Sequence, residues 1–218
     1  MSPSHAMWSF EEDARRNGFS RIAGVDEAGR GPLAGPVVSA AVILPGGARG
    51  DAAMAAYVHE INDSKKLTPR KREWLFECIQ RDAAGIGVGI VDAAEIDRIN
   101  ILQAALRSMA LAVKNIALRP GTLPPDYLLI DGNFPIPADL PQESIVQGDG
   151  RSASIAAASI VAKVTRDRLM EDYHRGYPQY GFSGHKGYPT RAHRLAIAAH
   201  GPSPIHRKTF KGVREYVE

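Results

Sequence analysis

Two adjacent carboxylates, Asp26 and Glu27, follow the apolar run Ile22-Ala23-Gly24-Val25, and a third, Asp131, follows Leu128-Leu129-Ile130. Carboxylates delivered by apolar strands are costly to bury, because dehydration penalises each charge and neighbouring charges repel. A divalent cation removes that cost. Asp149, in Gln147-Gly148-Asp149-Gly150, is a fourth candidate. Taken singly, Asp131-Gly132 and Asp149-Gly150 read as readily as turns, and Asp149 as a helix cap. The Asp26-Glu27 pair is harder to place in a surface turn, which has no need of so apolar a lead-in. Together the acidic segments, with no matching histidine or cysteine cluster, form an all-oxygen donor set suited to Mg²⁺ or Mn²⁺ rather than zinc.

Beside the acids stand groups suited to phosphate. Gly29-Arg30-Gly31 allows backbone amides and carbonyls to approach a ligand, with Arg30 placed to bind a phosphate or to hold the loop to the carboxylates. No Gly-x-x-x-x-Gly-Lys-Ser/Thr follows, which argues against a nucleoside triphosphatase. Asp63-Ser64-Lys65-Lys66-Leu67 puts a hydroxyl and two cations just before a helix start, either as a phosphate contact or as a solvated turn. From Tyr173 to Arg214 there is no acid; the segment holds Arg175, Lys186, Arg191, Arg194, Arg207, Lys208, Lys211 and Arg214, leaving 19 basic residues against 24 acidic ones elsewhere. It also holds five of the seven histidines and Tyr173, Tyr177, Tyr180, Phe182, Tyr188 and Phe210. Such segregation outlines either a nucleic-acid cleft facing a cation site or a solvated basic face.

The elements that must hold these groups follow from hydrophobic pattern. Arg21–Asp26 and Val37–Leu44 read as two buried strands joined by a tight connection, Ile86–Val91 and Tyr127–Ile130 as further strands, and Ser144–Val146 as a weaker one. The alternating glycines of Gly85-Ile86-Gly87-Val88-Gly89 indicate close packing. Thr68 and Pro69 start a helix to about Asp82, and the Asp92/Glu95 capping box starts one to about Leu118. An alanine-rich buried helix runs from Ser152 to about Tyr173, and a shorter one follows Pro189. This order predicts an α/β mixed sheet flanked by helices, with a C-terminal helical lobe. Its expected parts are an N-terminal extension (1–20), a core (21–172) and a basic lobe (173–218), within one compact unit. With 218 residues and 44% apolar content, the chain can bury a sizeable core. Its 21 glycines and 15 prolines lack any period, which argues against collagen and repeats. Cys78, alone in an apolar stretch, reads as a buried structural thiol in a reducing compartment. No secretory or membrane-spanning pattern is present, so the expectation is a cytoplasmic protein without a membrane.

Taken together, the motifs resemble the prokaryotic ribonuclease HII family. The match runs from Gly24-Val25-Asp26-Glu27-Ala28-Gly29-Arg30-Gly31-Pro32 to Val37, through Asp63–Leu67, Ile130-Asp131-Gly132, Gly148-Asp149 and Ala156–Asp167, to Gly184-His185-Lys186-Gly187-Tyr188. Gln147 stands where the family pattern carries lysine. The resemblance implies a ribonuclease H-like fold and an endonuclease acting on the RNA strand of RNA/DNA hybrids and at single ribonucleotides in duplex DNA. It implies 5′-phosphate and 3′-hydroxyl products, two Mg²⁺ or Mn²⁺ ions, the ligands Asp26, Glu27 and Asp131, and Asp149 as the fourth acid. It further implies that Gly29, Arg30 and Gly31 contact the RNA–DNA junction while Tyr188 stacks on the next sugar. Ser64, Lys65 and Lys66 join the expected substrate contacts through their phosphate reading, and the expected state is a monomer. Asp167 competes with Asp149, but it lies deep in the long helix and is spaced to pair with Lys163. Ribonuclease HIII is the nearest rival; it carries an extra N-terminal domain, for which the 20 or so residues before the first strand are too few. A non-catalytic nucleic-acid binder would leave the carboxylates unexplained.

Overall fold

The computed structural model describes residues 7–45, 57–118 and 120–217, so residues 1–6 of the expected N-terminal extension and Glu218 of the lobe lie outside the described residues. Strands β1 (Ile22–Ala28), β2 (Val37–Ile43), β3 (Gly85–Val91), β4 (Ala117–Leu118), β5 (Tyr127–Asp131) and β6 (Gln142–Ile145) form a six-stranded sheet in the order β4-β3-β2-β1-β5-β6. The first four strands are antiparallel neighbours, whereas β1, β5 and β6 run parallel. The β1–β2 connection is not tight as expected: residues 29–36 form an eight-residue loop between the two strands.

Seven α-helices are described: α1 (Ser9–Arg16), α2 (Pro69–Asp82), α3 (Ala93–Ile99), α4 (Ile101–Lys114), α5 (Ala153–Gly176), α6 (Phe182–His185) and α7 (Arg191–His200). Alternation along β2 divides the core between them. Ala40 and Val42 pack with α2 and α5, while Ala41 and Ile43 pack with Met109 and Ala112 of α4. Buried on both faces, β2 therefore reads as a near-continuous apolar run. Cys78 is buried, as expected.

Local chemistry explains the boundaries. Thr68 accepts a bond from the Lys71 amide at 3.3 Å and starts α2 as expected. The single helix expected from Asp92 to Leu118 is instead two helices, broken at Asn100, whose φ is 70°. Asparagine tolerates that left-handed conformation, and its Oδ1 accepts from the Leu102 and Gln103 amides at 3.0 and 3.1 Å, starting α4 afresh. The end of the expected helix is the edge strand β4. Helix α1 carries the buried Glu11, whose Oε1 accepts from the Ser152 hydroxyl at 2.6 Å and the Ser154 amide at 2.9 Å. An acid thus ties the N-terminal helix to the positive end of α5.

The lobe departs from the basic, aromatic face outlined by composition. Tyr180, Phe182, His193, His206 and Arg207 are buried, and Lys186 is paired with Glu171. Arg191, Arg194, Lys208 and Lys211 remain exposed.

Contact between β1 and α5 is set by Gly24: a methyl built there would lie 2.1 Å from the Ser154 carbonyl carbon and 2.2 Å from the Ile155 nitrogen. Helix backbone cannot step aside, so Gly24→Ala should cost about 3 kcal/mol, the upper range for overpacking. At Gly176, the last residue of α5, nothing lies within 4 Å of a built methyl. Gly176→Ala should gain about 0.5 kcal/mol from reduced unfolded-state freedom, and urea denaturation of both variants checks the pair.

Candidate active site

Parallel pairing brings the acids together. Val25 of β1 is in register with Ile130 of β5, so Asp26 and Asp131 follow side by side at the carboxyl ends of adjacent strands. The carboxylate oxygens of Asp26, Glu27 and Asp131 lie within 4.8 Å of one another. Asp26 is 5% exposed. Burial, reinforced by the charges of Glu27, Asp131 and Asp149, raises its carboxyl well above the usual range. Burial likewise pushes Glu27 up to about 7 against the pull of Arg30, whose Nη1 lies 3.3 Å from Glu27 Oε1. Arg30 therefore holds the loop to the carboxylates, one of its two expected roles. Three clustered acids, Asp26 buried and Glu27 and Asp131 half-buried, with only oxygen donors fit a hard divalent cation.

Asp149 borders this group. Strand β6 leads into a 3₁₀ turn, Gly148–Gly150, where the Gly148 amide donates to Asp131 Oδ1 at 2.7 Å. The α5 cap is Ser152, which accepts from the Ile155 amide, so the helix-cap reading of Asp149 falls away. Burial and the charges of Asp131 and Asp63 raise the Asp149 carboxyl, while Lys65, 3.7 Å away, works against them. Asp167 lies elsewhere, paired with Lys163 at 2.7 Å and Arg72 at 3.9 Å. A cavity of about 440 Å³ joins Asp131, Asp149, Gln147, Asp63, Lys65, Lys66 and Arg151. Ser64 is set back from it: the residue is buried, and its amide donates to Ser159 Oγ at 3.3 Å. Gln147, with φ at 56°, shapes the turn that carries Asp149.

The glycine loop and Tyr188 also meet. A methyl built at Gly31 would lie 3.9 Å from Tyr188 Cε1, and Tyr188 is 40% exposed. Buried His193 donates from Nδ1 to the Tyr188 carbonyl at 2.9 Å. Two residues that the sequence analysis did not single out hold this region. Arg207 donates to the carbonyls of Gly29, Arg30 and Gly35, and Arg166 to those of Ala34, Pro36 and Lys186. Arg166 lies inside a motif block quoted above, but counting charges does not distinguish a buried arginine from an exposed one.

Among the described residues no helix is long and apolar enough to cross a membrane. Residues 23–213 match the family model described as Ribonuclease HII. The chain is 58% identical over 212 residues to a protein named Ribonuclease HII from Geobacter metallireducens, covering 97% of this chain and 93% of that one. It is 57% identical over 215 residues to a Ribonuclease HII from Geobacter sulfurreducens, covering 99% and 93%. The crystal structure of ribonuclease H2 from Pyrococcus horikoshii superposes with a TM-score of 0.69 at 27% identity, covering 90% of this chain and 97% of that one. With a ribonuclease H-like sheet whose strand ends gather three carboxylates, and with family similarity running almost end to end, the chain belongs to the ribonuclease HII family and is an endoribonuclease of the ribonuclease H type.

Proposed function

We propose that the chain cuts the RNA strand of RNA/DNA hybrids and also incises duplex DNA at single embedded ribonucleotides, leaving 5′-phosphate and 3′-hydroxyl ends. The observation that carries this reading is the trio of Asp26, Glu27 and Asp131 within 4.8 Å, beside the exposed residues Arg30, Gly31 and Tyr188. Asp26, Glu27 and Asp131 would hold Mg²⁺ or Mn²⁺, with Asp149 as the fourth acid. Two such ions supply charge neutralisation for an attacking water and the departing 3′-oxygen in an in-line displacement.

The chain's own groups do the rest. The Gly148 amide orients Asp131, and Arg30 restrains Glu27. Lys65 and Lys66, on the cavity beside Asp149, face the phosphate backbone, and buried Ser64 anchors their turn to α5. Arg30 and Gly31 present backbone to the 2′-hydroxyl, the group that distinguishes a ribonucleotide from its DNA neighbours, while Gly29, expected beside them, is buried with its carbonyl bonded to Arg207 and shapes the loop from within. Tyr188 stacks on the adjoining sugar. In this reading residues 21–172 form the catalytic core, 173–218 form a lobe of the same unit, and residues 1–20 extend it. The proposal places a monomer in the cytoplasm, consistent with a lone, free and buried Cys78.

A duplex carrying one ribonucleotide, incubated with and without Mg²⁺, tests the activity. Asp26→Asn and Asp131→Asn should each lower cleavage by about 10³-fold or more while hybrid binding persists. Before metal is added, the folded protein retains protons on Asp26 and Glu27 that the unfolded chain has released. Their contribution to stability is therefore present below the ordinary carboxylate range and is lost as pH rises towards about 7. The Tm of the metal-free protein should fall between about pH 5 and pH 8, and should fall less in Asp26→Asn.

Asp149→Asn should cost far more activity than Asp167→Asn, because Asp167 is engaged by Lys163 and Arg72 away from the trio; kcat on one substrate ranks the two. Tyr188→Ala should remove a stacking contact of about 1–3 kcal/mol and reduce kcat/KM at a single ribonucleotide. Arg191→Ala should weaken hybrid and DNA binding in parallel, as measured at two salt concentrations.

A further inference from the structure

Arg166 and Arg207 are 1% and 0% exposed, and neither forms an ion pair among the described residues. Burial lowers Arg166, and burial together with the neighbouring Arg166 charge brings Arg207 down to about 9. Two such cations side by side are a poor choice for stability, since apolar residues of similar size avoid the dehydration cost.

Their hydrogen bonds have a more specific effect. Arg207 spans three carbonyls, with Nε 3.0 Å from Gly35 O, Nη1 2.9 Å from Arg30 O and Nη2 2.5 Å from Gly29 O. Arg166 spans three more, with Nε 3.0 Å from Pro36 O, Nη2 3.1 Å from Ala34 O and Nη1 3.0 Å from Lys186 O. No peptide bond here is cis, and in a trans peptide the N–H points opposite to the C=O. Drawing the Gly29 and Arg30 carbonyls inward therefore turns the Arg30 and Gly31 amides outward. Both residues are exposed, and neither amide donates to an acceptor among the described residues. The next amides along the loop, of Leu33 and Gly35, are already bonded to the Gly187 and Ile205 carbonyls at 2.8 Å. Two unengaged donors are thus aimed at solvent beside the Tyr188 ring. Arg166 also reaches the turn before that ring through Lys186, whose φ is 50°. Fit at Gly29 is close: its φ is +101°, and a methyl there would lie 2.1 Å from Arg166 Nε.

We propose that Arg166 and Arg207 are positioning residues for recognition of the ribonucleotide: they set the peptide planes that present the Arg30 and Gly31 amides, and they hold Tyr188 alongside. A planar guanidinium fork is required, because a lysine ammonium is a point charge that does not span three fixed carbonyls. The inference rests on the reading of the glycine loop and Tyr188 given above.

Arg207→Lys keeps the charge and removes the fork. Its kcat and KM should be measured on a single-ribonucleotide duplex and on a long hybrid, beside Tyr188→Ala, with Mn²⁺ binding followed by calorimetry. The expected result is a loss of kcat/KM about tenfold greater on the single-ribonucleotide duplex than on the hybrid, with Mn²⁺ affinity retained. Equal losses on both substrates, or none, would overturn the inference. If Tyr188→Ala changes the substrate ratio and Arg207→Lys does not, only this inference falls; if neither does, the reading of the loop falls with it. Should Arg207→Lys fail to fold, Arg166→Lys is read in the same way. A further measurement needs no variant: in the wild-type protein without divalent ion, adding the single-ribonucleotide duplex should shift the amide NMR signals of Arg30 and Gly31. Unshifted signals would also overturn the inference.

Discussion

Carboxylates crowded at the end of a buried strand repel one another where little water screens them, and a flexible chain would let them drift apart. The sheet prevents that. Parallel pairing of β1 with β5 fixes Asp26 beside Asp131, and direct backbone contact between Gly24 and the start of α5 stiffens the strand that carries Asp26 and Glu27. Strand β6 then returns the chain so that the Gly148 amide grips Asp131 and Asp149 arrives from the next turn. Each of these devices resists a repulsion that the fold itself creates, and a bound cation relieves it. The site is accordingly built at the expense of the metal-free state, as expected where function sets the local electrostatics.

A few residues along β1 the imbalance has the opposite sign. Two buried guanidiniums lie under residues 29–36 with carbonyl oxygens as their only hydrogen-bond partners among the described residues. Arg30 links the two regions through Glu27. An acidic cluster, met in part by Arg30 and Lys65, thus adjoins two buried cations that form no ion pair among the described residues. Nucleic acid and a divalent cation carry charges complementary to these two regions.

Much of this was legible in the sequence, where one residue type admits few physical explanations. An Asp-Glu pair behind four apolar residues has little reason to exist without a cation. Thr68 before Pro69 starts a helix wherever the rest of the fold lies, and the alternating glycines of β3 do mark close packing: methyls at Gly87 and Gly89 would meet α4 carbonyls at 2.0 Å. Less was legible where long-range packing decides. Arg207 looks like its exposed basic neighbours until the loop it grips is in place. Asn100 sits within an otherwise continuous helical pattern, and only its left-handed backbone reveals the break. Helix α1 depends on a partner more than a hundred residues distant.

Sequence distance also bears on the order in which the molecule is completed. Glu11 bonds to Ser154 across 143 positions, and Arg207 reaches Gly29 across 178. A chain made from its N-terminus exposes the glycine loop long before the arginine that shapes it exists, and distant contacts are the slowest to close. The sheet can gather its acids once β5 and β6 have formed. The glycine loop is held in its described shape only after Arg207 has been synthesised, so a growing chain can gather its acidic cluster before that loop is set.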